Sequence, residues 1–157
     1  ADAQAPVLDA SKFFAVLKRP PTSADRPPGM QSVRGARLAA RTPQGRVYIR
    51  ATSRRTCVIF LRGSRGPAGA SGSCAPTRSA RTRGVAVFLQ CLNSGPPQRR
   101  ILAGVAPDGT STVTALRAGA RQASTPVQRN GWVLDTPQPI DEIRVGPTPM
   151  RLPPASC

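Results

Sequence analysis

Apolar segments with strand-like alternation follow one another through residues 84–117. In residues 85–92 both faces of the alternation are apolar, which is typical of a strand covered on both sides. Residues 101–106 show the same pattern, and a β-branched segment at 112–115 follows the turn Pro107-Asp108-Gly109. The pattern predicts consecutive strands of an antiparallel meander around which the chain folds.

Gly104 interrupts the second of these segments. A missing side chain in a strand lets another backbone or a large ring approach closely, so we expect a close neighbour over Gly104. Trp132 is the one tryptophan of the chain and lies on an apolar segment just after a turn. This position predicts a core residue.

The start of the chain favours helix over strand. Asp9 or Ser11 can cap a short helix over the apolar stretch 13–17, which Pro20-Pro21 would end. A second short helix is predicted over residues 31–40. Both would pack on the sheet through their apolar positions.

Shorter strand signals complete the predicted sheet. They are residues 46–52, 56–61, 122–128, 131–135 and 140–145, the third and fourth meeting at a hairpin-type turn at 129–131. We therefore predict a single α+β domain, with short N-terminal helices packed on an antiparallel β-meander sheet of about six to eight strands and a stabilising disulfide. Its parts are an N-terminal extension (1–8), a helical segment (9–40), the sheet (46–145) with a long basic loop (63–83), and a Pro-rich tail (146–157).

The charge balance is strongly basic: 23 basic and 7 acidic residues give a formal charge of +16. All the basic residues except Lys12 and Lys18 are arginine, an excess that either guanidinium chemistry or GC-rich codon usage explains. Whatever its origin, this charge attracts polyanions. No apolar stretch approaches the ~20 residues of a membrane helix. The cysteines, and a start that looks like a processed terminus, predict export to an oxidising compartment and a secreted or cell-surface location.

The 4 cysteines allow three different pairings. Cys57 lies in a predicted strand and Cys74 in the long loop, and a bond between them would close about 17 residues, worth about 3 kcal/mol in the chain-entropy model. We predict this disulfide. Cys91 is then either a buried thiol or the partner of Cys157, and both alternatives stay open. A metal site is disfavoured because the chain has no His and no CxxC pair.

The residue set argues against catalysis. Ser, Cys and Thr nucleophiles usually need an imidazole base, and the chain has none. Asp141 and Glu142 are adjacent on a predicted strand, so they point to opposite faces and do not form a catalytic pair. The other carboxylates lie in turn or capping contexts: Asp2, Asp9, Asp25, Asp108 and Asp135. We expect no enzyme activity, no cofactor and no metal.

Arginines in and beside the long loop are the candidate binding residues. No acidic residue lies between positions 63 and 83, so phosphate or carboxylate polymers would bind there with marked salt dependence. Sites for single-stranded nucleic acid also carry exposed aromatic residues, which this loop lacks. A solvated basic surface without a dedicated partner is the alternative. The candidate residues are Arg54, Arg55, Arg62, Arg65, Arg78, Arg81 and Arg83.

Several stretches resemble uncharacterised secreted proteins of high-GC bacteria. They are FAVLKRPPTSADRPP near the start, the spacing from Cys57 to Cys74, and GVAPDGTSTV followed by PVQRNGW. The resemblance implies an exported location and brings no activity with it.

The leading hypothesis is a non-catalytic exported protein of the cell envelope or extracellular space that acts by binding or self-assembly. Extended ends at 1–8 and 146–157 would let copies pair into a homo-oligomer or filament. The alternative is a polyanion-binding module, for nucleic acid or an acidic envelope polymer, that uses the arginines of the loop.

Overall fold

The computed structural model describes residues 8–26, 35–63, 69–89 and 100–152. Within these residues the chain is mostly strand, with one α-helix and three short 3-10 turns. The strands are β1 (Arg37–Thr42), β2 (Gly45–Ala51), β3 (Arg55–Arg62), β4 (Ala70–Pro76), β5 (Val85–Leu89), β6 (Arg100–Val105), β7 (Thr112–Arg117), β8 (Ala120–Pro126), β9 (Gly131–Thr136), β10 (Glu142–Val145) and β11 (Thr148–Arg151). The helix, α1, is Thr77–Arg83, and the 3-10 turns are Ala10–Lys12, Ala15–Lys18 and Ser23–Asp25. Among the described residues, no helical segment combines the length and the hydrophobicity that a membrane-spanning helix needs.

The described strands form three antiparallel sheets. The first sheet has the order β1-β2-β3-β4, the middle sheet β5-β6-β9, and the third sheet β11-β10-β7-β8. One apolar cluster joins residues of the first and middle sheets, and a second cluster joins the middle and third sheets. The middle sheet is therefore covered on both faces, as the apolar alternation of β5 and β6 predicts.

Alternation along β6 divides its side chains between the two cores. Ile101 and Val105 belong to the cluster shared with the first sheet, whereas Leu102 belongs to the cluster shared with the third sheet. Trp132, on the neighbouring strand β9, belongs to the same cluster as Leu102. All four are at most 5% exposed. A Cβ atom on Gly104 would collide with the indole ring of Trp132. The predicted ring over Gly104 is thus Trp132, whose predicted place in the core is confirmed.

The predicted α+β fold is wrong, because the described residues are mostly β and form three sheets where one meander was expected. At the N-terminus, 3-10 turns replace the predicted helix. The backbone N–H groups of Ala15 and Val16 donate to the side chains of Asp108 (2.9 Å) and Asn130 (3.0 Å), and the carbonyl of Phe13 accepts from the Asp108 N–H at 2.8 Å. These distant partners take the backbone groups that a continuous helix would pair internally.

The second predicted helix, over residues 31–40, is also wrong where the structure describes it. Arg37–Thr42 forms β1, which pairs with β2, while residues 31–34 lie outside the described ranges. Pairing with β2 outweighs the weak helical preference of so short a segment, since isolated helices below about 12 residues are marginal in water.

The predicted meander ends after its second strand. β6 pairs with β5 on one side and with β9 on the other, and β7 belongs to the third sheet. The burial patterns explain the choice: β9 is buried almost continuously, whereas β7 has its buried Val113 flanked by the exposed Thr112 and the half-buried Thr114. A strand with two apolar faces suits the covered middle sheet, and a strand with a polar face suits an outer sheet.

The long irregular loop predicted over residues 63–83 is replaced by regular structure from residue 70 onward. Residues 70–76 form β4 and residues 77–83 form α1, and residues 64–68 lie outside the described ranges. The small side chains of β4 give no periodicity that a sequence pattern could detect. The pairing with β3 is what makes this segment a strand.

The other predicted strands are confirmed in position, but two of them pair with other strands than predicted. Strands occupy the predicted segments 46–52, 56–61, 122–128 and 131–135 apart from their end residues, and β10 covers most of 140–145. However, β8 pairs with β7 and β9 with β6, so only an isolated bridge between Gln128 and Gly131 joins the two sides of the predicted hairpin.

Candidate polyanion-binding surface

The first turn of α1 is fixed to the turn that connects β2 and β3. The backbone N–H of Thr77 donates to the carbonyl of Arg54 at 2.9 Å, and the Thr77 hydroxyl donates to the carbonyl of Thr52 at 3.0 Å. The hydroxyls of Thr77 and Thr56 are 3.1 Å apart, and both residues are fully buried. Buried polar groups with satisfied hydrogen bonds hold a defined geometry, so the helix starts at a fixed place beside the turn.

The turn itself is closed by hydrogen bonds. The Thr52 N–H donates to the Arg55 carbonyl at 2.8 Å, and the Thr52 hydroxyl oxygen accepts from the N–H groups of Arg54 (3.3 Å) and Arg55 (3.1 Å). With their backbones engaged in this way, Arg54 and Arg55 leave their side chains exposed.

A disulfide holds β4, and with it the start of α1, on the first sheet. Cys57 and Cys74 lie directly opposite each other in the β3–β4 register, with their Cα atoms 4.0 Å apart. The predicted bond between Cys57 and Cys74 is confirmed. Cys74 comes three positions before Thr77. The predictions for Cys91 and Cys157 lie outside the described residues.

One side of α1 faces the core, and the other presents arginines. Ala80 is fully buried in the cluster between the first and middle sheets, whereas Arg78, Arg81 and Arg83 are exposed. Arg78 and Arg81 are three residues apart, so they are neighbours on the helix surface. Gly84 ends the helix with a φ of +69°, and a Cβ atom there would collide with the Val105 carbonyl.

The structure gathers five of the seven predicted arginines around this junction. Arg54 and Arg55 lie in the turn, and the other three lie on α1, whose first residue bonds the turn. We call Arg54, Arg55, Arg78, Arg81 and Arg83 the arginine surface.

Two predicted arginines do not belong to the arginine surface. Arg62 is at the far end of β3, opposite Gly45, and the eight residues of β3 span about 23 Å. Arg65 lies outside the described residues. Conversely, β11 packs against α1 and carries the exposed Arg151. Arg151 lies opposite Glu142 in the register of β10 and β11. No local pattern could have predicted this tertiary contact.

Within the described residues the arginine surface has no counter-charge. None of its five guanidinium groups makes a hydrogen bond or an ion pair with a described residue. The described carboxylates have partners elsewhere: Asp9 with Ser11, Asp25 with Arg19, Asp108 with Ala15 and Asn130, Asp135 with Gln44, Asp141 with Ala118, and Glu142 with Arg144. The described part of the chain also contains no group of three or more potential metal ligands. What the arrangement can do chemically is bind anions.

A buried tyrosine lies on the face of the first sheet that points away from the middle sheet. Tyr48 is fully buried beside Ala36 and Leu61, and its hydroxyl has no hydrogen-bond partner among the described residues. Burial raises the pKa of Tyr48, while the charges of Arg46 and Arg41 act in the opposite direction. A buried hydroxyl without a partner carries an uncompensated desolvation cost.

Tyr48→Phe is therefore expected to leave the free energy of unfolding unchanged or to raise it by about 1 kcal/mol. Denaturant unfolding of both proteins measures the difference. A loss of more than about 1 kcal/mol in Tyr48→Phe would mean that the hydroxyl has an acceptor in solution.

Comparisons of the chain with protein families, with curated proteins and with solved structures give no match. The resemblance to secreted proteins of high-GC bacteria therefore stays a prediction. The case for a function depends on the geometry of the arginine surface.

Proposed function

We propose that the protein is a non-catalytic binding protein of the cell envelope or extracellular space, and that its arginine surface binds an acidic polymer. The observation that carries this proposal is the placement of five exposed arginines, without a described counter-charge, on a junction fixed by buried hydroxyls and a disulfide. Because the backbone that carries these arginines is already held in place, less conformational entropy is lost when several of them bind one ligand.

A polymer fits this surface better than a small anion does. Each exposed arginine contact is weak in water, so affinity has to accumulate over several contacts and over the counterions they release. Arg78 and Arg81 are about one helical turn apart, roughly 5 Å, with Arg54 and Arg55 beyond the first turn of α1. A chain of phosphate or carboxylate groups can contact such a series in succession.

The ligand is recognised by its charge. The α1 helix and the turn before β3 carry no aromatic residue, and the exposed Phe88 belongs to β5. Base stacking, which supports single-stranded nucleic-acid binding, is therefore missing from the arginine surface. We expect affinity to follow the charge density of the polymer, with little dependence on base sequence.

The exported location is supported by the disulfide. Disulfides persist in oxidising compartments and are rare in the cytosol, so the Cys57–Cys74 bond is compatible with an extracellular location. In that location the accessible polyanions include the acidic polymers of cell envelopes.

Polymer binding across a salt series tests the proposal. The oxidised protein is titrated with inorganic polyphosphate, and separately with DNA, from about 50 to 200 mM salt. We expect the logarithm of the affinity to fall linearly with the logarithm of the salt concentration. A variant with four substitutions should bind at least tenfold more weakly, and the slope of log affinity against log salt concentration should become smaller in magnitude by about three to four. The substitutions are Arg54→Ser, Arg55→Ser, Arg78→Ser and Arg81→Ser.

A matched variant controls for net charge. Exposed arginines distant in sequence from the turn and α1 are replaced by serine in the same number: Arg41, Arg117, Arg121 and Arg129. We expect this variant to lose about threefold or less in affinity, because only diffuse attraction changes. Equal losses in both variants would contradict a dedicated surface. Light scattering that shows large, salt-resistant particles of the protein alone would favour self-assembly as the mode of action.

A further inference from the structure

The α1 helix has little stability of its own. It has seven residues, its N-cap Pro76 provides no side-chain hydrogen bond, and its first turn contains no acidic residue. Arg78 instead puts a positive charge near the positive end of the helix dipole. Only Thr77 and Ala80 are buried. Since isolated helices of this length do not persist in water, α1 depends on the hydrogen bonds of Thr77 and on how β4, which positions Thr77, is held.

The preceding strand, β4, is also weakly attached by its side chains. Its sequence is ASGSCAP, and none of its residues is fully buried. Among the described strands it is an edge strand that pairs only with β3. Register is weakly specified in a strand of small residues with few buried side chains. The disulfide between Cys57 and Cys74 is the covalent contact that fixes the register of β4.

The disulfide is open to exchange with solution reagents. Cys74 is exposed and Cys57 is half-buried. Thiol–disulfide exchange needs access to one sulfur of the pair. Because Cys74 is an exposed residue on an edge strand, we expect a dithiol to reach this bond in the folded protein.

We infer that the Cys57–Cys74 disulfide switches the arginine surface, so that the oxidised protein binds acidic polymers and the reduced protein does not. This inference rests on the proposed function. In the oxidation step, two thiols transfer two electrons and two protons to a disulfide-bearing oxidant: the Cys57–Cys74 bond forms, the bond of the oxidant breaks, and two new thiols leave.

The switch has a consequence for a chain with a charge of +16. In a reducing compartment β4 and α1 would be loosely held, and Arg78, Arg81 and Arg83 would no longer have fixed positions beside the turn. Tight binding to nucleic acid would then be avoided until the protein reaches an oxidising compartment, where the surface assembles.

Two measurements test the disulfide switch: amide hydrogen exchange and binding to polyphosphate. Each is made on the oxidised protein and on the protein reduced by a dithiol. Reduction should accelerate amide exchange in Thr77–Arg83 at least tenfold and leave exchange in β6 unchanged. Affinity for polyphosphate should fall at least fivefold. The double variant Cys57→Ser, Cys74→Ser should behave like the reduced protein with or without the dithiol. It retains Cys91 and Cys157, so a dithiol effect that persists in this variant would come from those residues and overturn the inference.

The two proposals fail in different ways. If the oxidised and reduced proteins bind equally well and α1 stays protected, the switch is overturned while polymer binding stands. If even the oxidised protein does not bind, the proposed function fails, and binding by the arginine surface cannot be switched. Accelerated exchange in β6 as well as α1 would mean that reduction unfolds the whole protein, which also overturns a local switch.

Discussion

Gly104→Ala is expected to lower the free energy of unfolding by about 3 kcal/mol. A Cβ atom at this position collides with the indole ring of Trp132 on one side and lies 2.6 Å from the carbonyl oxygen of Val85. Trp132 is 1% exposed and fills the core between the middle and third sheets. Since Gly104 pairs with Ala86 and Trp132 in the centre of the middle sheet, the backbone cannot shift without disturbing both neighbouring strands.

Denaturant unfolding of the variant and of a matched control measures this effect. Gly72→Ala is the control, because Gly72 is also a strand glycine and the nearest atom to its added Cβ is the Val58 carbonyl oxygen at 3.2 Å. We expect Gly72→Ala to change stability by less than about 1 kcal/mol. Combining Gly104→Ala with Trp132→Leu should recover part of the combined loss, as expected for residues in contact. Purely additive losses would show that the ring and the glycine are not coupled.

The close approach at Gly104 could be predicted, whereas the strand that provides the ring could not. A glycine inside an apolar strand pattern indicates a nearby backbone or ring, and a lone tryptophan after a turn indicates a core residue. Pairing Gly104 with Trp132 requires β9 to leave β8 and join β6. That choice depends on covering two apolar faces at once, a property of three packed sheets that no local window of sequence contains.

The N-terminal segment shows the same limit. Its capping residue and its apolar stripe are correct local signals, and Asp9 does cap the first 3-10 turn by accepting the Ser11 N–H at 3.0 Å. What prevents a helix is a pair of side chains about a hundred positions away, Asp108 and Asn130, which bind the backbone of residues 15 and 16. Short helices are marginal, so such distant bonds decide the outcome.

The sequence predicts which arginines form the arginine surface, but it does not predict how they are arranged in space. The uncompensated run of arginines and the disulfide follow from composition and spacing. The position of Arg54 beside α1 follows from the hydrogen bonds of Thr77, a residue without any distinguishing sequence signal. For the same reason Arg62 is close in sequence to the arginine surface yet lies at the other end of β3.

Asp25→Asn is expected to lower the free energy of unfolding by about 2 to 4 kcal/mol at neutral pH. The carboxylate of Asp25 is 3% exposed and accepts from Arg19 through both oxygens, at 2.5 and 3.0 Å. It also accepts the N–H groups of Leu38 (2.7 Å) and Thr22 (2.7 Å), which joins the third 3-10 turn to β1. An amide leaves Arg19 without its counter-charge and places an NH2 donor where only donors converge. Asp141→Asn, at an exposed carboxylate, is the control and should change stability by about 0.5 kcal/mol or less.

The effect of Asp25 should depend on pH in a defined direction. Burial by itself raises the pKa of Asp25, but the hydrogen bonds from Arg19, Leu38 and Thr22, together with the Arg19 charge, outweigh it and hold the pKa well below its ordinary value. Above about pH 5 the group is almost fully ionised in both the folded and the unfolded chain, so its stabilisation is nearly complete. Below that pH the unfolded chain takes up the proton first, and stability falls by up to about 1.4 kcal/mol per pH unit until the folded group is protonated too. Unfolding measured from neutral pH down to about pH 2 should therefore bring the wild type and Asp25→Asn closer together. A difference that stays constant over this range would mean that the loss in the variant comes from packing and not from the charge of Asp25.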